Sequence, residues 1–244
     1  MNRGTGARAH RGTGGHADAR TRGRSLASIA LAGLLAGIAV PHTARAQDAG
    51  AILDRAVAAY GRITSFRAAF VQEVSDPMIG GGAPSRGEFL QQRPNRFAMR
   101  WTEPRGDVIL ADGQYLWVYL PSSTPNQVIR SRLTGRAGES ADVIAEFLDR
   151  PRERFTVSYV RADRANGREA DVLVLTPRSR DAAYARVHVW VDRQDSLVRK
   201  VEITEASGAL RRLTFDRLRT NVAIPASSFV FRPPTGIRVV DATP

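Results

Sequence analysis

Few side chains in this sequence are suited to catalysis or to metal binding. The chain has no Cys, and three of its four His residues, His10, His16 and His42, lie within the first 46 residues. Only His188 remains in the rest of the chain, and no G-x-S-x-G, H-E-x-x-H or P-loop sequence accompanies it. No pair of carboxylates stands apart from ordinary surface charge. The sequence therefore predicts a protein that is not an enzyme and that has no metal site and no cofactor.

Arg93 is the polar residue whose position suggests a specific role. It stands between Gln92 and Pro94 at the end of an expected strand, in register with Phe89 if the strand alternation holds. A guanidinium that faces an apolar side needs acceptors for its five donors, and the free carbonyls at the C-terminus of a helix would supply them. The alternative interpretation is a solvated residue at the edge of a strand.

Aromatic and large apolar side chains are concentrated in the first half of the chain. They fall on alternating strand positions, many with a common facing: Phe66, Phe70, Phe89, Phe97, Met99, Trp101, Tyr115, Trp117 and Tyr119. One interpretation is that they fill a solid core. A wide, curved sheet covered by two or three short helices has more apolar face than those helices fill, so we expect an apolar cavity that binds apolar ligands.

The elements that position these residues are mainly strands. Apolar residues recur at spacings of three and four from Asp48 to Tyr60, which predicts a short helix with one apolar stripe. From Phe66 the period changes to two, which is typical of a strand. Strands are predicted around residues 66–74, 86–92, 96–102, 107–111, 114–120, 127–133, 154–161, 170–177, 185–192, 197–206, 209–219 and 228–232. A second short helix is predicted over residues 139–148, with Ser140 as its N-cap.

Short links between successive strands favour one meandering antiparallel sheet. Asp112-Gly113, between two apolar runs, is a typical hairpin turn. A sheet of roughly a dozen strands must curl or split to bury one face. We therefore expect a curved half-barrel with the helices on its concave side. A sandwich of two sheets is the alternative architecture.

The first 46 residues have the pattern of a cleaved secretory signal peptide. A stretch with several Arg residues ends at Arg24, the apolar run 26–40 follows, and Ala44-Arg45-Ala46 comes next. The apolar run is shorter than the roughly 20 residues that a membrane-spanning helix needs. We expect export to the periplasm, cleavage after Ala46, and a single domain over residues 47–244.

The basic charge of the chain does not predict nucleic-acid binding. The formal net charge is +12, but the first 46 residues hold seven Arg and one Asp, so the rest of the chain carries +6. Its Arg residues are scattered among Asp and Glu instead of forming a basic stripe. We therefore expect no nucleic-acid partner.

Several segments resemble the LolA family of outer-membrane lipoprotein carrier proteins. Their order and spacing match over nearly all of residues 47–244, with residues 122–139 as the least similar part. The matching segments are 65–72, 87–89, Arg93-Pro94-Asn95-Arg96-Phe97, 101–104, 108–113, 116–119 and 229–236.

The resemblance implies a mainly β fold with a few helices, an incomplete (half-open) antiparallel β-barrel of about eleven strands with an α-helical lid. It implies a monomeric periplasmic chaperone that binds the acyl chains of lipoproteins in an apolar cavity. The chaperone would carry them from the inner-membrane ABC exporter LolCDE to the outer-membrane receptor LolB. Arg93 would tie the lid shut by hydrogen bonds to helix backbone. The acyl-chain-binding residues would be Phe66, Phe70, Phe97, Met99, Trp101 and Trp117.

Three other functions are considered: a receptor of the same fold, an enzyme, and a domain of the same fold with a different ligand. A receptor of the LolB type would need a Cys for lipid attachment, and the chain has none. A periplasmic enzyme would have to work with one His and no Cys. A periplasmic lipid-binding or lipid-sensing domain with a different apolar ligand remains the main alternative.

Overall fold

The computed structural model describes residues 48–133 and 143–242, and most of them lie in strands. The predicted signal peptide, its cleavage site and the start of the predicted helix at 139–148 lie outside these described residues. The helices are α1 (Ala49–Gly61), α2 (Val143–Leu148), α3 (Pro151–Arg154) and a short 3₁₀ helix (Ala226–Phe229). None of the helices in the described part of the chain is long and apolar enough to span a membrane.

Thirteen strands follow one another along the described chain. They are β1 (Ser65–Asp76), β2 (Gly80–Gly81), β3 (Ser85–Gln92), β4 (Arg96–Glu103), β5 (Val108–Asp112), β6 (Tyr115–Tyr119), β7 (Gln127–Arg132), β8 (Phe155–Ala165), β9 (Arg168–Pro177), β10 (Tyr184–Asp192), β11 (Val198–Glu205), β12 (Leu210–Thr220) and β13 (Arg238–Ala242).

All thirteen strands belong to one unclosed sheet. Their order is β13-β7-β6-β5-β4-β3-β1-β12-β11-β10-β9-β8, and the short β2 pairs with β1. β1 joins the two halves because it pairs with β3 on one side and with β12 on the other. The incomplete, mainly antiparallel barrel with a helical lid is confirmed, although the sheet has thirteen strands and not about eleven. The sandwich of two sheets is wrong.

Helix α1 begins at a side-chain cap and presents one apolar stripe. The Asp48 carboxylate accepts hydrogen bonds from the backbone N–H groups of Gly50 and Ala51, which have no partner within the helix. The predicted apolar spacing places Ile52 and Leu53 at the sheet, where they are 2% and 0% exposed. The amphipathic helix predicted from this spacing is confirmed.

The larger core lies between the helices and one face of the sheet, which we call the inner face. Side chains from β1, β3 and β4 share this core with side chains from β9 to β12 and with α1 and α2. Strands from both halves of the sheet therefore contact the same helices. The sheet has to curl around them for this to happen, as the number of strands requires.

The opposite face, which we call the outer face, carries a second core in the first half of the sheet. Leu90, Ala98 and Leu110 alternate with the inner-face residues of their strands and are covered by Phe229. Arg100 Nη2 donates a hydrogen bond of 3.0 Å to the backbone carbonyl of Ser228. The segment that leads to β13 is thereby held against the outer face.

The strand predicted over residues 228–232 is wrong. The structure has the 3₁₀ helix Ala226–Phe229 followed by irregular backbone there. Pro225, Pro233 and Pro234 flank this stretch, and proline has no N–H to give to a strand ladder. The last strand is instead β13, which pairs with β7 in parallel.

Candidate functional site

Five phenylalanines form an aromatic cluster on the inner face, beneath the helices. We call Phe66, Phe70, Phe89, Phe97 and Phe215 the inner aromatic cluster, and each is at most 4% exposed. The ring centroids of Phe66 and Phe89 are 5.5 Å apart, and those of Phe66 and Phe215 are 5.8 Å apart. Both pairs meet edge to face, a favourable arrangement for aromatic rings.

Five of the six predicted acyl-chain-binding residues lie together on this face. Phe66, Phe70, Phe97 and Met99 belong to the larger core, and Trp101 is half-buried at its margin. The centroids of the Trp101 and Phe70 rings are 5.3 Å apart. Phe66, Phe70, Phe97 and Met99 are at most 4% exposed, so within the described residues they are packed in a core and are not open to solvent.

Trp117, the sixth predicted residue, does not lie with the others. It pairs across the sheet with Leu110 on the outer face, and its ring packs against Phe231, with the two centroids 5.6 Å apart. The Asp112 carboxylate accepts a hydrogen bond of 2.7 Å from its indole N–H. This acceptor and the strand alternation place Trp117 on the outer face, apart from the other five residues. Its role in acyl-chain binding stays a prediction.

Tyr60 of α1 connects the lid to the sheet through a buried polar contact. Its hydroxyl lies 3.0 Å from Oε1 and 2.7 Å from Nε2 of Gln91, on β3. Tyr60 and Gln91 are both 7% exposed. A hydrogen bond in such surroundings orients the helix, because the buried amide and hydroxyl need partners.

Arg93 lies directly above the same tyrosine. Its guanidinium carbon is 4.5 Å from the centroid of the Tyr60 ring, which is a cation–π contact. Its backbone N–H donates to the carbonyl of Thr64, just after α1. Arg93 is exposed, and its contact with the helix runs through this ring. The predicted hydrogen bonds from Arg93 to helix backbone stay a prediction.

Ion pairs connect the short helices on their solvent side. The Arg152 guanidinium donates to both carboxylate oxygens of Asp54, at 2.8 and 2.6 Å, which joins α3 to α1 and lowers the pKa of Asp54. Arg154 donates at 2.5 Å to Glu146 of α2. The Arg152–Asp54 pair is exposed and contributes little to stability, whereas Arg154 and Glu146 are partly buried. These ion pairs join the lid helices to one another, and apolar packing holds the lid to the sheet.

A depression of about 730 Å³ lies where β1, β3 and β12 meet. Six of its lining residues are charged: Arg67, Arg86, Glu88, Asp216, Arg217 and Arg219. Arg67 and Glu88 form an ion pair across its wall at 2.6 Å. Ala68, Phe70 and Val71 also line it, so its wall is mixed, whereas the larger core of the inner face is built of apolar side chains. The charged side chains around the depression favour the inner face as the candidate site for an acyl chain.

Tyr60, Gln91 and Phe215 belong to the site but were not predicted from sequence. Tyr60 has the spacing of the apolar stripe of α1, which marks it as buried without revealing its polar contact. Gln91 falls on an inner position of its strand, and a polar residue at such a position is the signal that identifies a buried hydrogen bond. Phe215 reaches the cluster only because β12 pairs with β1.

Comparison with known proteins identifies the family of this chain. The family model described as "Outer membrane lipoprotein carrier protein LolA" matches residues 61–232. An outer-membrane lipoprotein carrier protein of Albidiferax ferrireducens is 32% identical over 187 residues, 73% of this chain and 85% of that protein. One of Cupriavidus pinatubonensis is 31% identical over 159 residues, 64% of this chain and 70% of that protein.

The solved structures support the same fold. The crystal structure of MucB superposes with a TM-score of 0.51 and 21% identity, and the match covers 79% of this chain and 65% of the MucB chain. Together with the family match over most of the described strands, the unclosed sheet and its lid establish the relationship. The chain belongs to the LolA family of outer membrane lipoprotein carrier proteins.

Proposed function

We propose that this protein is a periplasmic chaperone, and not an enzyme, that carries lipoproteins by sheltering their acyl chains against the inner face. The single observation that carries the proposal is the inner aromatic cluster, which is covered by short helices in a member of this family. The five inner-face residues Phe66, Phe70, Phe97, Met99 and Trp101 would contact the chains.

The free energies involved make an exchange between lid and ligand feasible. Burying an acyl chain is worth about 0.8 kcal/mol per CH₂ group, so one long chain gains roughly 10 kcal/mol or more. Lifting the lid exposes Ile52, Leu53, Ile144, Phe147 and Leu148, whose burial is worth about 1.5 to 3 kcal/mol each. The two quantities are of the same order. Acyl chains can therefore replace the helices, and the helices can later replace the chains.

Polar contacts around Tyr60 would set the balance between the closed and the open lid. Arg93 and Gln91 hold Tyr60 from two sides, and Asp54 joins α1 to Arg152. Contacts worth about 1 kcal/mol each change the ratio of the open to the closed state several-fold. In this proposal Arg93 is the lid latch, because its contact forms only when α1 lies on the sheet.

The partners proposed are acylated lipoproteins, the inner-membrane ABC exporter LolCDE and the outer-membrane receptor LolB. The names of the curated relatives support the lipoprotein cargo. The pattern of the first 46 residues supports export to the periplasm, with cleavage after Ala46, and the protein would travel as a monomer. A triacylated protein does not cross water unaided, so transfer between two membranes needs such a carrier.

The experiment that tests this function is a displacement assay on the protein purified from the periplasm. An apolar fluorescent dye is bound first, and a triacylated peptide and the same peptide without acyl chains are then added. We expect saturable displacement by the acylated peptide only. Equal displacement by both peptides, or none by either while the fold is intact, would contradict the proposal. Displacement by other apolar compounds alone would favour a different ligand.

A further inference from the structure

The turn between β1 and β3 exposes two large apolar side chains side by side. Met78 is 93% exposed and Ile79 is 89% exposed. The other exposed large apolar side chains in the described ranges reach at most 52%, at Val230. Turn tips are ordinarily polar, because their side chains are surrounded by water and make no packing contacts with the rest of the protein. Two adjacent residues of this kind at a projecting tip therefore call for an apolar partner.

The whole tip is free of charged and hydrogen-bonding side chains. Residues 77–84 read Pro-Met-Ile-Gly-Gly-Gly-Ala-Pro, and the nearest charged residues are Asp76 and Arg86 at the base. Val74, which precedes the tip on β1, is 44% exposed and extends the apolar surface. The tip thus offers apolar side chains without polar groups that would specify a particular partner.

Several backbone N–H groups of the tip have hydrogen-bond partners within the turn, which suits an apolar medium. The Asp76 carboxylate accepts hydrogen bonds from the N–H groups of Met78 and Ile79, at 2.8 and 3.3 Å. β2 pairs with the end of β1, and the N–H of Gly82 donates to the carbonyl of Val74. Backbone donors that are paired within the turn do not have to be stripped of water, which is the main cost of placing a loop in lipid.

We propose that this tip, defined as residues 77–84, docks the protein on a lipid bilayer surface. A stable protein interface buries about 800 Å² on each partner with hydrogen bonds across it, and a tip of two long side chains does not supply these. A bilayer needs only apolar side chains and satisfied backbone. Asp76 limits the depth of insertion to the head groups, because a carboxylate does not enter the hydrocarbon. This inference is independent of acyl-chain carriage.

The docking is reversible because the inserted surface is small. Even a single myristoyl chain gives only marginal membrane binding, and two side chains bury less than such a chain. The protein therefore touches a bilayer and leaves again, without becoming anchored.

The experiment uses phosphatidylcholine vesicles and the protein purified from the periplasm. Cosedimentation is compared between the wild type and the double variant Met78→Ser/Ile79→Ser. We expect the binding constant for the vesicles to fall by about tenfold or more in the double variant, because two apolar contacts are lost. The matched control is Val230→Ser/Val239→Ser, which removes two exposed valines elsewhere and leaves binding unchanged.

A second measurement locates the tip in the bilayer. Met78→Trp is mixed with vesicles whose phosphatidylcholine is brominated on the acyl chains, and Val230→Trp serves as control. We expect added quenching for Met78→Trp only. Equal vesicle binding by wild type and double Ser variant, or equal quenching in both Trp variants, overturns the proposal. Because the tip lies outside the inner face, the double Ser variant still binds acylated peptide, so this test and that of the carrier function fail separately.

Discussion

The guanidinium of Arg93 lies over the ring of Tyr60, with 4.5 Å between the guanidinium carbon and the ring centroid. Arg93 belongs to the turn between β3 and β4, and Tyr60 lies in the last turn of α1. The same ring carries the hydroxyl that bonds to Gln91. One tyrosine of the lid is therefore held from its face by a cation and from its edge by an amide, both on the sheet side.

Replacement of Arg93 by Leu tests the role of the cation. The variant keeps an apolar stem but loses the charge and all five donors, so the closed lid loses a contact worth about 0.5 to 1 kcal/mol at an exposed site. We expect a folded protein that takes up acylated peptide but releases it more slowly, because the closing lid competes less well with the chains. Lys at this position should restore part of the release rate.

The measurement for Arg93→Leu is the rate of transfer from a preloaded complex to acceptor vesicles or to a purified receptor. Arg96→Leu is the control, since Arg96 is an exposed arginine on the neighbouring strand. Wild-type transfer by the Leu variant would mean that Arg93 is an ordinary solvated residue.

Replacement of Tyr60 by Phe separates the amide contact from the cation contact. The ring under Arg93 is kept, while the hydrogen bond to Gln91 is lost at a cost of about 1 kcal/mol. We expect faster hydrogen exchange in the amides of α1 by roughly fivefold, with the strands unchanged. Tyr119→Phe, on the outer face, is the control. Unchanged exchange in α1 would show that the hydroxyl does not hold the lid.

Tryptophan fluorescence distinguishes the two faces of the sheet. The chain has three Trp residues, Trp101 at the inner face, Trp117 at the outer face, and Trp190. Two variants, both with Trp190→Phe, keep either Trp101 or Trp117 as the only indole. We expect acylated peptide to shift the emission of the variant with Trp101 and to leave that with Trp117 unchanged. A larger shift for Trp117 would place the ligand on the outer face.

The lowered pKa of Asp192, at the end of β10, makes the free energy of unfolding depend on pH. Burial raises the pKa of this carboxyl, but hydrogen bonds from Arg168, the Gln194 N–H and Arg199 outweigh burial and lower it to about 2, from an ordinary value of 3.8. A lowered pKa stabilises the folded state above the unfolded pKa, and this contribution of roughly 2 kcal/mol is lost as the pH falls from about 5 to 2.

Asp192→Asn should therefore reduce the free energy of unfolding by about 3 kcal/mol at pH 7, because Arg168 and Arg199 lose their buried ionic partner and keep only the more exposed carboxylate of Asp195. The difference from wild type should narrow as the pH falls toward 2. Chemical denaturation at a series of pH values measures both effects, with the exposed Asp181→Asn as control. A difference that stays constant with pH would show that Asp192 does not titrate as proposed.

The sequence predicts local elements well because each depends on neighbouring residues. The stripe from Ile52 to Tyr60 and the alternation after Phe66 both appear at the predicted positions. The parallel pairing of β13 with β7 joins residues more than 100 positions apart, and no local pattern encodes it. The predicted strand at residues 228–232 failed for a related reason, because its apolar residues pack on the outer face through Phe229 and not through a ladder.

The sequence predicts which aromatic residues form the candidate site, but it does not predict whether their rings line a cavity or fill a core. Strand alternation placed Phe66, Phe70 and Phe97 on one face correctly. It did not place Trp117, because the turn at Asp112-Gly113 sets the phase of β6 and provides the indole acceptor. Whether aromatic rings line a cavity or fill a core depends on how closely the helices approach, and that distance is a property of the tertiary packing.

The proposed function requires that acyl chains and lid helices compete for the same inner face. Hydrogen exchange in α1 during binding of a triacylated peptide measures this competition. We expect one saturable site per chain and faster exchange of the α1 amides on binding, with the amides of β9 to β11 unaffected. The same peptide without acyl chains should cause neither effect. Saturable binding of the acylated peptide with unchanged exchange in α1 would show that the chains lie somewhere other than beneath the lid, and the proposed competition would be wrong.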